Sequence, residues 1–234
     1  MKRYIYLALS LAALTACSLD KDPISEFNEK NTTAEGKSSS AIENKAQMQT
    51  RYEAIYAFVR GSAQEFWTLD FLQNTETRAD NAYAGTSGVE ITSIEQNSQD
   101  ASNRNIKRDW QKYLEGINLA NVVIANVDKV PDASLSLAER KQWKAEAKIL
   151  KSWLLFDMVR FWGAVPIPPI EVPEISSENV EETYKLLFPE RTSVAEVYNI
   201  IRTNLEEALI DAPAVKTNDK LITKIGRASC RERV

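Results

Sequence analysis

No histidine occurs among the 234 residues, so this chain cannot itself supply an imidazole general base or a His-ligated zinc or iron. Acid–base chemistry would fall to carboxylates, and Asp70, Glu76 and Asp80 lie close enough in sequence to be considered together. Two such groups flanking one glycosidic bond can act as acid and nucleophile, which keeps a surface glycoside hydrolase working through carboxylates alone among the readings. The neighbours Glu206 and Glu207 are no such pair, because adjacent positions on a helix point about 100° apart. Binding chemistry without reaction asks for less. Aromatic rings stack on the C–H faces of sugars, while asparagine, aspartate, arginine and glutamine fix hydroxyls. Trp143, Trp153 and Trp162 invite that reading, but Trp143 falls on an apolar helical stripe and the other two in a helix apolar almost all round, so packing is expected to hold them.

The first residues set the compartment. Met1, Lys2 and Arg3 precede an apolar run from Tyr4 to Leu14, the pattern of a secretory leader. That run is about half the ~20 residues a spanning helix needs. Leu14-Thr15-Ala16-Cys17 resembles the lipobox of bacterial lipoproteins, with Cys17 as the acylated first residue. The other reading is an ordinary small-residue cleavage site with a chance cysteine. Several acyl chains, at about 0.8 kcal/mol per buried methylene, make a stable anchor. The second cysteine, Cys230, then has no internal partner. Losing Lys2 and Arg3 takes the formal charge from −4 to −6. A chain that acidic is not expected to bind nucleic acid, which calls for a basic face.

These residues must be positioned by helices. Residues 17–40 are polar and read as a tether. Apolar residues then recur at helical spacing (Ile42, Met48, Tyr52, Ile55, Tyr56, Val59), predicting a helix over 40–60. Between Phe66 and Asn105 the pattern dissolves, apart from a short element at 66–72, and a stretch that long is usually functional or mobile. Trp110, Leu114, Ile117, Asn121, Ile124 and Val127 mark a second helix over 107–128. Ser136 with Glu139 forms the capping box of a third, whose stripe runs through Trp143, Ala147, Leu150, Leu154, Met158 and Phe161 to a stop at Gly163 and Pro166. Ser193 with Glu196 opens a fourth, reaching Ile210. The short connector predicts an antiparallel pair with a spacing near that of tetratricopeptide repeats. The fold class expected is mainly all-α, a tetratricopeptide-like solenoid with long irregular loops.

The third helix carries more than periodicity. Ala145-Glu146-Ala147-Lys148-Ile149-Leu150-Lys151-Ser152-Trp153, running on through Phe156-Asp157-Met158-Val159-Arg160-Phe161-Trp162-Gly163-Ala164-Val165-Pro166, resembles the signature helix of the SusD/RagB family, with Lys151-Ser152 where Arg-Ala is usual. Cys17, the segment Leu119 to Ile124, and Val194 to Tyr198 followed by Asn204 to Ala208 stand in that family's order. The resemblance extends to about Lys220.

It implies residues 1–16 as signal peptide, 17–40 as lipid-anchored tether, and 41–224 as the helical N-terminal domain of a protein about twice this long. The tail 225–234 departs from the family's Gly-Arg-Ala-Thr-like turn and reads as a truncation or cloning scar. The resemblance further implies an outer-membrane, surface-exposed lipoprotein that binds a polysaccharide or oligosaccharide, needs no cofactor or metal, performs no catalysis, and hands its ligand to a SusC-like TonB-dependent transporter. The ligand residues it implies are Trp67, Tyr83, Asn97, Asn103 and Asn105, with Asp70, Arg78, Asp80 and Asn81 as a polar loop site. That loop lacks a tryptophan, which weighs against starch. The bland alternative is that Trp67 is core and the asparagines are solvated turn residues. A helical-repeat adaptor that binds protein would share the same scaffold.

Overall fold

The computed structural model describes residues 41–214 apart from 174 and 177. The leader, Cys17, the tether 17–40, the tail 225–234 and Cys230 lie outside the described residues. Helices Lys45–Gly61 (α1), Val89–Glu95 (α2), Arg104–Asn126 (α3), Leu137–Trp162 (α4), Val180–Leu187 (α5) and Val194–Asp211 (α6) carry the described part. Two π-helical segments, Ala63–Asp70 and Gln73–Thr77, follow α1. The strands are two residues each, Val165–Pro166 (β1) and Arg191–Thr192 (β2), paired antiparallel with Val165 opposite Thr192 and Pro166 opposite Arg191.

The helix starts are fixed by side chains that accept otherwise unpartnered backbone N–H groups. Asn44 caps α1 by accepting from the Gln47 N–H. Ser136 and Glu139 form both halves of the box predicted for α4, and Ser193 accepts from the Glu196 N–H at α6. Sequence reasoning placed α1 at 40–60 and α3 at 107–128. Their caps move the starts to Lys45 and to Arg104, where Asn103 accepts from Asn105 and Ile106. The stretch between Phe66 and Asn105, expected to be irregular apart from 66–72, is helical also at Gln73–Thr77 and in α2, with turns and irregular chain between, because short helices need tertiary contacts rather than periodicity to form.

Helix α4 lies among α1, α3 and α6, which explains why its middle, from Ala145 to Val159, is buried almost all round. Its pairing with α3 is antiparallel: Trp110 meets Trp162, Asn121 meets Lys151, and Val127 meets Arg140. Helix α6 runs antiparallel on another side, with Tyr198 against Phe156 and Glu207 against Lys148. The predicted antiparallel rods are therefore present. The turn after α4 needs Gly163 at φ +70°, a conformation that disfavours side chains. It delivers the chain to Ile167-Pro168-Pro169, where the Asn121 amide donates to the carbonyls of Pro168 (3.3 Å) and Pro169 (3.1 Å) while its oxygen accepts from Lys151 Nζ at 2.7 Å. Burial, with the Lys148 charge assisting, lowers the Lys151 pKa to about 8.

Close approach of α1, α3 and α4 depends on Gly116. A Cβ there would lie 2.6 Å from Phe58 Cε1 and 2.7 Å from Leu154 Cδ1. Both neighbours are buried. Gly116→Val is expected to lower stability by about 1–2 kcal/mol in urea unfolding, because overpacking outweighs the helix-propensity gain over glycine. Unchanged stability would mean the three helices can spread without loss.

Candidate functional site

At the open end of the α3–α4 pair lies a groove of about 480 Å³, bordered by Asn74, Arg78, Gln99, Asp100, Lys107, Trp110, Phe161, Trp162 and Arg191. Its apolar wall is built by the register of the two helices. Antiparallel packing brings the first turns of α3 to the last turn of α4, so that Trp110 and Trp162 meet at 5.3 Å and 90°. The antiparallel pairing of β2 with β1 then returns the chain, and the Arg191 guanidinium comes to rest 5.4 Å from the Trp110 ring centre with Nη1 donating to the Ala164 carbonyl at 2.8 Å. A two-residue strand pair thus carries a cation from far along the sequence onto the indole wall.

The polar side is assembled from the stretch read as a loop. Asn103 caps α3 and also donates from its amide to the Glu90 carbonyl (2.8 Å) and to Ser93 Oγ (3.0 Å), tying α2 to the start of α3. Arg78 Nε donates to Asn97 Oδ1 at 3.0 Å, and Asn97 Nδ2 returns a bond to the Arg78 carbonyl at 3.3 Å. Asn97 has φ 54°, a left-handed conformation that asparagine tolerates better than most residues. Gln99 borders the groove, and its Oε1 is buried without a partner among the described residues, although buried acceptors normally have one.

Beneath this wall lies a pair of acids. Asp70 and Asp109 are both buried. Arg108 bonds Asp70 and Glu65, and Asn74, which borders the groove, donates to Asp109 Oδ2 at 3.2 Å and to the Asp70 carbonyl at 3.0 Å. Burial first, then the Asp70 charge, pushes the Asp109 carboxyl up to about 8. Asp70 is raised by burial while Arg108 opposes the shift.

The residues expected from sequence are thereby distributed. Arg78 borders the groove, Asn97 bonds to Arg78, and Asn103 builds the adjoining helix end, with Asn105 in the first turn it caps. Asp70 closes a π-helical segment and faces inward rather than into a loop. Asp80, at φ 63°, is exposed, and Asn81 donates to Glu76 at 3.1 Å. Tyr83 is 81% exposed. Trp67 is half-buried against Phe58, Phe66, Tyr113 and Trp153, and its indole N–H donates to the Val59 carbonyl at 3.0 Å. Packing accounts for it. Asp70, Glu76 and Asp80 do not converge on one opening, and Asp100 is the one carboxylate bordering the groove. Among the described residues no cluster of acids or cysteines could hold a metal ion. Sequence reasoning missed Trp110, Trp162 and Arg191 as groove residues. The indoles read as core, and Arg191 sits in a polar stretch with no pattern.

Residues 19–224 match the family model SusD-like, described as starch-binding associating with outer membrane, and residues 1–18 match a prokaryotic membrane lipoprotein lipid attachment site. No match was found among curated proteins. Among solved structures, a laminarin binding SusD-like protein is 20% identical at a TM-score of 0.64, over 82% of this chain and 40% of that one. A SusD superfamily protein from Bacteroides thetaiotaomicron VPI-5482 is 18% identical (TM-score 0.63, 82% and 43%). Surface glycan-binding protein A from Bacteroides fluxus is 18% identical (TM-score 0.62, 82% and 39%). The chain thus spans about two fifths of the length of these relatives, and at such identities they speak for the fold.

Proposed function

The chain belongs to the SusD-like family, and from that premise we propose that it is an outer-membrane lipoprotein, anchored through Cys17 and facing outward, that binds glycan without cleaving it. Residues 17–40 serve as its tether and 41–224 as its helical domain, and a TonB-dependent transporter receives the ligand. The observation that carries the binding role is the groove itself, where two indoles stand beside amide, guanidinium and ammonium groups. Sugar recognition needs that combination, with flat apolar faces for the ring and donors and acceptors for its hydroxyls. The laminarin binding SusD-like protein and the surface glycan-binding protein A among its structural neighbours lend support.

A protein-binding reading is favoured at one place, α5, where Tyr184 (61%), Leu187 (42%) and the following Phe188 (65%) are exposed. That face lies on α5 and shares no residue with the groove.

Affinity electrophoresis through gels containing a panel of polysaccharides, with a reducing-sugar assay on the same mixtures, separates the readings. Retardation is expected without release of reducing ends, and Trp110→Ala is expected to weaken it by roughly tenfold, the loss of one stacking platform. Release of reducing ends would replace the binding role with hydrolysis. Retardation by no polysaccharide would transfer the case to the exposed face of α5.

A further inference from the structure

Resting on the reading of the groove as a saccharide site, we infer that the saccharide it takes is anionic, bearing carboxylate or sulfate groups. Arg78, Lys107 and Arg191 all border the groove, all three are exposed, and none meets a carboxylate among the described residues. Arg78 is held by an asparagine oxygen and Arg191 by a backbone carbonyl. Elsewhere on the described surface most cations sit in ion pairs, from Lys45 with Glu139 to Lys148 with Glu207. Three unpaired cations gathered at one opening of an acidic chain repel one another, and the apolar indole walls weaken solvent screening between them. A bound anion relieves that repulsion, and guanidinium groups match the planar fork of a carboxylate and the tripod of a sulfate.

The opposing charge is small and already engaged. Asp100 is the single carboxylate on the rim, and its Oδ1 accepts from the Ser102 N–H at 2.8 Å and from Ser102 Oγ at 2.6 Å. Those bonds turn it toward its own backbone, leaving three positive groups against one negative. A neutral glucan would use the indoles but leave the cations without anionic partners. An acidic sugar uses both sets.

Titration of the full chain with polygalacturonate (carboxylate), dextran sulfate (sulfate), dextran and laminarin (both neutral) tests this. At moderate ionic strength, an anionic polymer is expected to bind at least roughly tenfold more tightly than either neutral one, and which anion binds better identifies the charged group. Lys107→Gln is expected to weaken that binding by roughly threefold, and Arg78→Gln or Arg191→Gln by roughly tenfold each. Arg51→Gln removes an exposed cation of α1 outside the groove and is expected to change nothing. Equal affinity for neutral and anionic polymers overturns the inference and leaves the glycan reading standing. So does a loss with Arg51→Gln as large as with the groove variants, which would mean diffuse charge attraction. Binding of none of the four polymers overturns both. Should an arginine variant unfold, Lys107→Gln decides, since its side chain has no partner among the described residues, and unchanged affinity there sinks the proposal.

Discussion

Glu146→Ala is expected to remove about 3–5 kcal/mol of stability, the cost of breaking a buried polar cluster by taking out the member the others share. Glu146 is fully buried on the face of α4 toward α1. Its Oε2 accepts hydroxyl bonds from both Tyr52 and Tyr56, and its Oε1 accepts from Gln142 Nε2 at 2.9 Å. Truncation strands three donors at once. It also opens a void beneath Tyr52, which stacks on Trp143 at 4.9 Å with an angle of 11° between the rings. Glu146→Gln keeps the shape and one acceptor oxygen and is expected to lose clearly less. Urea unfolding of the three proteins checks the order. A Glu146→Ala protein within about 1 kcal/mol of wild type would mean water enters and satisfies the tyrosines, and the cluster would then be no keystone of the α1–α4 contact.

That cluster marks how far a linear reading reaches. The stretch Ala145-Glu146-Ala147 carried the family signature, yet the apolar stripe passed over Glu146. Only the parallel approach of α1 to α4, Lys45 to Glu139 and Tyr52 to Trp143, shows that the glutamate has two hydroxyls to serve. Long amphipathic helices and their caps were legible because their signals are local: Ser136 and Glu139 lie within one turn. Helices α2 and α5 were not, since seven or eight residues show too few turns for a stripe and α5 leaves its apolar residues in solvent. The groove was half legible. Trp110 and Trp162 were correctly set on facing helices, but their shared rim needs Arg191, brought back by a strand pair two residues long. The lipobox, tether and tail fall outside the described residues, so those expectations rest on sequence and on the lipoprotein match.

Acid titration of the pair under the groove gives the second large effect. An ordinary aspartate in an unfolded chain loses its proton near pH 4, whereas folded Asp109, raised by burial and by Asp70, keeps one up to about 8. The folded state therefore binds more protons than the unfolded across that window, and stability must fall as pH rises through it. Arg108 favours charge on Asp70, so the shared proton rests on Asp109. This also gives a partner to Asp109 Oδ1, otherwise a buried atom without a hydrogen bond. Asp109→Asn reproduces the protonated acid at every pH: its amide can donate toward Asp70, and its oxygen can accept from Asn74. Between pH 5 and pH 8 the wild type is expected to lose about 2–4 kcal/mol through this pair, and the variant to lose none of that share. The two proteins should unfold at similar temperatures at pH 5, with the variant higher at pH 8. Parallel curves for the two would place the proton elsewhere. Because Asn74 both borders the groove and donates to Asp109, any glycan binding there is expected to vary with pH over the same window in the wild type and to lose that variation in Asp109→Asn.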